Sequence, residues 1–200
     1  MNNIPNMIFH PAYQEALTVA DGNRLRLRLI RPADKSRLKS GFQRLSESSR
    51  YCRFFSHKSD LTQDDLRFMT EFDGTDHAAL GVFELNEAGI EGDAVGVGRY
   101  IRLPNDPTSA EFSLAVTDDQ QDKGIGRLLL QRLLSMAAER GFECFEGYVL
   151  PENDRMTHLI KGVRQTAQFH REDGLLKTCF PTANNVDAAS SITMKDQVFQ

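Results

Sequence analysis

The chain has 200 residues, a formal net charge of -4 at pH 7, and 40% hydrophobic residues. That length can build one domain with a sizeable core, and no repeat or linker divides it. The acidic balance argues against a nucleic-acid partner, which needs a basic face, and suits a cationic substrate. Residues 1–20 are polar and proline-bearing, without the basic start, apolar run or cleavage site of a secretion signal, and read as an N-terminal arm. No stretch approaches the length of a membrane span, so no membrane partner is expected.

Residues 24–31 alternate as an arginine-rich strand ending in Arg-Pro. Asp34 then opens an amphipathic helix with Leu38, Phe42 and Leu45 on one face. After the segment 45–55, Leu-Ser-Glu-Ser-Ser-Arg-Tyr-Cys-Arg-Phe-Phe, a second helix starts near Thr62, which forms a capping-box variant with Asp65. Residues 78–85, 94–103 and 109–116 read as three successive strands. Residues 128–140 carry Leu130, Leu133, Leu134 and Ala137 at helical spacing and stop at Gly141. Residues 143–150 form one more strand, and Asn153 stands at the step into a following helix.

The loop between the third of those strands and the long helix states a chemistry. It reads Gln121-Asp122-Lys123-Gly124-Ile125-Gly126-Arg127. A strand that turns through two glycines into a helix leaves the first helical amides unpaired, and with the helix dipole they make an anion site. The glycines admit a phosphate close to the backbone, while Lys123 and Arg127 add positive charge. A nucleoside-triphosphate P-loop is excluded, because no Gly-x-x-x-x-Gly-Lys-Ser/Thr pattern is present. A dinucleotide fingerprint lacks its third glycine at Leu129, although Glu143 and Glu146 lie near the distance of a ribose-binding acid. A turn without a ligand is the plain alternative.

Gln121, Gly124 and Gly126 also match every defined position of the Gln/Arg-x-x-Gly-x-Gly/Ala loop of the GNAT superfamily of N-acetyltransferases. Together with the arginine-rich first strand and segment 45–55, residues 20–181 resemble the catalytic domain of bacterial Pat-type protein lysine acetyltransferases. The resemblance implies an α+β GNAT fold: a mixed, mostly antiparallel central sheet flanked by helices in a three-layer α/β/α sandwich. It implies one acetyltransferase domain over residues 21–182, acetyl-CoA as co-substrate, and an amine acceptor such as a protein lysine; a small amine is the alternative. Its diphosphate loop spans residues 121–127, including Ile125.

Acetyl transfer needs a neutral amine, and an unperturbed lysine is neutral only about one time in a thousand near neutrality, a handicap of roughly 4 kcal/mol. A carboxylate that accepts the proton is therefore useful. Strand parity separates Glu111, Ser113 and Ala115 from Phe112, Leu114 and Val116. In the resembled family a glutamate in the Ala-Glu-Phe context is the general base, which falls on Glu111; parity alone leaves it a solvent-facing strand residue. The family pairs pantetheine with freed backbone, here that of Leu114, Ala115 and Val116, and an amide there polarises the thioester carbonyl. Asn153 corresponds to a family asparagine that contacts the pantetheine arm, or it caps the helix only.

The chain departs from the superfamily after Asn153. Leu159-Ile160-Lys161-Gly162-Val163 lacks the usual tyrosine, so Tyr100, Tyr148 or water would protonate the leaving thiolate. A non-catalytic acyl-CoA-binding module is the rival class. Cys52, Cys144 and Cys179 have neither CxxC nor metal spacing and read as reduced structural thiols of a cytoplasmic protein, with no metal. His158 and His170 lack partners at ligand spacing and read as surface residues. Residues 183–200 read as a tail, either disordered or packed across the partner of a homodimer.

Overall fold

Strands with one apolar face must pair edge to edge and be covered. The computed structural model describes residues 7–19 and 21–183. Its strands are β1 (Gln14–Thr18), β2 (Arg24–Leu29), β3 (His77–Leu85), β4 (Glu91–Leu103), β5 (Asp106–Val116), β6 (Cys144–Val149), β7 (Gln168–Glu172) and β8 (Leu175–Pro181). They form one sheet in the order β1-β2-β3-β4-β5-β6-β8-β7. Every neighbouring pair is antiparallel except β5 with β6. That exception follows from the connection, because the long helix after β5 carries the chain back so that β6 enters parallel.

The helices are α1 (Lys35–Gln43), α2 (Glu47–Phe54), α3 (Gln63–Thr70), α4 (Ile125–Glu139) and α5 (Asp154–Val163). Leu129, Leu130, Leu133 and Leu134 of α4 are buried against Leu25, Leu27, Leu80, Val82 and Leu114 on one face of the sheet. Leu38, Phe42, Leu66 and Met69 of α1 and α3 cover Ile30, Ala79, Phe83 and Ala94 on the other. The result is the expected α+β three-layer arrangement. Among the described residues no helix is long and apolar enough to cross a membrane.

Several local expectations change. Residues 14–18, inside the stretch read as an arm, pair with β2 as an edge strand. The capping box at Thr62 and Asp65 forms, with both reciprocal bonds present. Asp34 precedes α1 but makes no side-chain cap. Its carboxylate instead takes two bonds of 2.7 Å from the buried Arg28, and Glu91 receives a third of 2.6 Å from the same guanidinium. The β7–β8 hairpin turns at Asp173 and Gly174, with φ of 48° and 82°. An Asp-Gly pair with two left-handed residues is a strong short-range hairpin signal. The reading of three reduced thiols is corrected: Cys144 and Cys179 are disulfide-bonded across β6 and β8, and Cys52 is free. Strand pairing across a separation of 35 residues brings the two together, which linear spacing could not reveal.

Candidate active site

β5 and β6 pair only from Ser109 with Cys144 to Glu111 with Glu146. Beyond Glu111, β5 continues to Val116 bonded to β4 alone, so its other edge is free. Gly147 fixes the approach of the two strands, because an added Cβ would lie 2.5 Å from the Phe112 ring. The chain leaves β6 and enters α5 at Asn153. Between the diverging elements lies a groove of about 820 Å³, lined by Leu114, Ala115 and Val116 on one side and by Asn153, Met156 and Leu159 on the other. At the strand fork a slot of about 50 Å³ holds Glu111, Ser113, Tyr148 and Asn153.

The loop 121–127 closes one end of the groove, with Gln121, Gly124, Gly126 and Arg127 in its wall. Gly124 immediately precedes α4 at φ 83°, and no side chain caps that helix. A Cβ on Gly124 would meet nothing within 4 Å, so the glycine is needed for its backbone conformation and leaves the space above it open. The amides of Ile125, Gly126 and Arg127 therefore start the helix without helical carbonyls, the arrangement that binds anions, and Gly126 and Arg127 line the groove there. Ile125 contributes only its amide, since its side chain is in the core. Gln121 donates to the Val116 carbonyl at 3.0 Å and ties the loop to the end of β5. Lys123 is turned aside, 2.6 Å from Asp21 and 3.1 Å from Gln120, so its charge is already engaged. Arg155, which sequence reasoning missed, lines the groove, donates to Gln121 and meets Asp122 at 3.1 Å.

Glu111 stands on the predicted face with Ser113 and Ala115, and it keeps an exposed surface. Crowding by the slot walls, then the Glu146 charge, raises its pKa, while the Arg53 guanidinium pulls it back. Glu146 is the neighbour in register and is held by the Tyr148 hydroxyl and Lys177, each at 3.1 Å. Tyr148 is thus the phenol in the slot; burial and Glu146 raise its pKa, while Lys177 pulls it back. Tyr100 is fully buried with its hydroxyl on the Thr75 carbonyl and cannot reach a leaving thiolate, and the buried Ile160 has no proton to give. Asn153 caps α5 by accepting from the Met156 amide at 3.1 Å while also lining groove and slot.

α2 supplies the residues that spacing alone did not single out. Ser49, Cys52 and Arg53 fall at i, i+3 and i+4 and share the face that lines the groove. The segment 45–55 had stood out as a family marker without a structural role. The Cys52 thiol is raised by burial, then by Glu152, which keeps it protonated and a poor nucleophile. His158 lies on the groove wall and is exposed, whereas His170 lies on the edge strand β7. Among the described residues no group of three His, Cys, Asp or Glu side chains could hold a metal ion.

The family model described as "Acetyltransferase (GNAT) family" matches residues 43–163, more than half of the chain. This chain belongs to the GNAT acetyltransferase family. The acetyltransferase is 31% identical over 155 residues to "Acetyltransferase Pat" of Mycolicibacterium smegmatis, covering 78% of this chain and 44% of that protein. It is 27% identical over 122 residues to "Acetyltransferase PA5475" of Pseudomonas aeruginosa, covering 61% of this chain and 64% of that one. The GNAT domain of S. lividans PAT superposes with a TM-score of 0.75 at 29% identity, over 86% of this chain and 99% of that domain. The acetyltransferase thus spans less than half the length of the Pat relative and nearly all of the PAT GNAT domain.

Proposed function

We propose that this acetyltransferase moves the acetyl group of acetyl-CoA to a primary amine, with a lysine side chain of a protein as the acceptor and Glu111 as general base. The carrying observation is the strand fork. The free edge of β5 runs from the Glu111 slot to the uncapped start of α4, so one groove joins a proton acceptor to a diphosphate site. The amides of Ile125, Gly126 and Arg127 bind the diphosphate, and the free backbone of Leu114, Ala115 and Val116 pairs with the pantetheine arm. Asn153 and Met156 close the opposite wall. Of the positive charges expected at the loop, Arg127 is available, while Lys123 would first have to leave Asp21.

Bound acetyl-CoA supplies an activated thioester. Glu111 takes a proton from the amine, directly or through water, as the amine nitrogen bonds to the carbonyl carbon and the carbon–sulfur bond breaks. A β5 amide stabilises the oxygen that gains charge. The proton required by the thiolate comes from Tyr148 or water, since Tyr100 is sealed in the core and Ile160 has no proton to give. The likeness to Pat and the Glu111 carboxylate in the slot support a cationic acceptor such as lysine. Incubation with acetyl-CoA and a panel of protein lysines and small amines, following free thiol release, tests the reading. Turnover on protein lysines is expected. Cofactor binding without turnover on any amine would leave a binding module, and turnover on small amines alone would reassign the acceptor.

A further inference from the structure

Behind Ala115, between β4, β5 and the helices α1 and α2, lies a cavity of about 60 Å³. A water needs roughly 10–15 Å³ on the same measure, so the space holds about four heavy atoms. Leu45, Arg53 and Ala115 line both this cavity and the groove, so it branches from the groove beside the backbone assigned to the pantetheine arm. Its walls are apolar except for Arg53, Arg99 and Thr117, and no carboxylate lines it.

The two arginines are unusual in what they lack. Arg99 is 2% exposed. Its terminal nitrogens are held by the Met69 carbonyl at 3.3 Å, the Phe68 carbonyl at 3.5 Å and the His77 ring at 3.3 Å, but its Nε is buried without a partner. The neighbouring His77 is driven down to about 4 by burial and then by Arg99, so it stays neutral and supplies no positive charge. Arg53 stacks on its neighbour Phe54 and lines the cavity, the groove and the slot alike, and Glu111 attracts it from beyond ion-pair distance. A buried cation without an anion, as Arg99 is, is costly, and a carboxylate between it and the half-buried Arg53 would offset that cost. Burial lowers the pKa of both, to about 10 for Arg53 and about 9 for Arg99, which still leaves them charged at neutral pH.

We propose that the cavity is an acyl subsite that accepts acyl-CoA donors whose chain ends in a carboxylate, such as malonyl- or succinyl-CoA, with Arg53 and the Nε of Arg99 receiving that carboxylate. This rests on the donor assignment made under Proposed function. Transfer follows the same balance: the amine nitrogen bonds to the thioester carbon, the carbon–sulfur bond breaks, coenzyme A leaves as thiolate, and the distal carboxylate is unchanged. An acetyl group would use only the mouth of the cavity.

The test compares dissociation constants by titration calorimetry for acetyl-, butyryl-, malonyl- and succinyl-CoA with the full chain. Butyryl-CoA has the same four-carbon chain as succinyl-CoA and ends in a methyl group. Succinyl- or malonyl-CoA should bind at least tenfold more tightly than butyryl-CoA, and Arg53→Gln should bring that ratio close to one. Acetyl-CoA binding with no preference for the charged chains would overturn the subsite and leave the donor assignment standing. A preference that survives both Arg53→Gln and, in a folded variant, Arg99→Gln would also overturn it. Failure of every acyl-CoA to bind would remove the donor assignment and the subsite together.

Discussion

The proposed base Glu111 shows how neighbours change the chemistry of one side chain. A solvated glutamate on a strand is a weak base, whereas here the slot walls and Glu146 raise its pKa and Arg53 limits the rise. Loss of a general base costs typically a hundredfold to ten-thousandfold, so Glu111→Gln should reduce turnover by about that order near pH 7. The base must be ionised, so wild-type activity is lost as pH falls through a value above the ordinary carboxylate range. In the variant that ionisation should vanish from the pH profile of kcat/KM, leaving that of the amine, and the deficit should shrink at high pH. Unchanged rates in Glu111→Gln from pH 7 to 9 would end the assignment. Gly124 acts through its backbone. With φ at 83° and open space above it, Gly124→Val replaces a tolerated conformation with a strained one. Coenzyme A affinity should fall at least tenfold, about 1.4 kcal/mol, in calorimetric titration of the folded variant.

At the scale of elements, the buried ion cluster joins β2, the start of α1 and β4. Arg28 is 2% exposed and Asp34 is 1% exposed, and the cation also lies 3.9 Å from the centre of the Phe83 ring. Burial pushes the Asp34 carboxyl up, but the Arg28 bonds and the Arg31 amide outweigh it and hold the pKa below the usual range. A depressed folded-state pKa gives stability that is complete above the unfolded value and lost as pH falls through the folded one. Removing one partner of such a pair typically costs about 3–5 kcal/mol, because the other charge stays buried. Asp34→Ala should therefore lower the melting temperature by on the order of 10 °C, measured by calorimetry at pH 7. Its deficit should narrow in acid, where the wild type also loses the carboxylate. A shift of one degree would show that solvent reaches the cluster.

For the whole molecule, the fork matters because a sheet that stayed paired from β5 to β6 along its length would leave no groove. The groove passes from an uncapped helix start to the Glu111 slot, which suits a diphosphate carrying a long narrow arm better than a second nucleoside. Acetyl-CoA at a hundred times its dissociation constant should stabilise the fold by about 2.7 kcal/mol and raise its melting temperature, while NAD and ATP should not. A saturable shift with NAD at micromolar concentrations would revive the dinucleotide reading.

The local code was enough for much of this. Period-two runs placed β2 and β5, strand runs between turn-rich segments placed β3, β4 and β6, helical spacing placed α1 and α4, and the Gly124-Ile125-Gly126 turn identified the uncapped helix start, because each depends on neighbours within a few residues. Glu111 was assigned to the correct strand face by parity, although the catalytic role proposed for it came from the resemblance and not from the spacing. The tail 184–200 lies outside the described residues. What only the tertiary structure decided involves partners far apart in sequence. The Asp34 carboxylate left its helix to meet Arg28 and Glu91, Lys123 turned to Asp21, and Cys144 met Cys179. The end of β5–β6 pairing at Glu111 and Glu146, and the gathering of Arg53 and Arg99 around one cavity, depend on how layers pack. Spacing along a chain specifies which face a side chain occupies, whereas its distant partners are set only when the sheet and both helical layers close together.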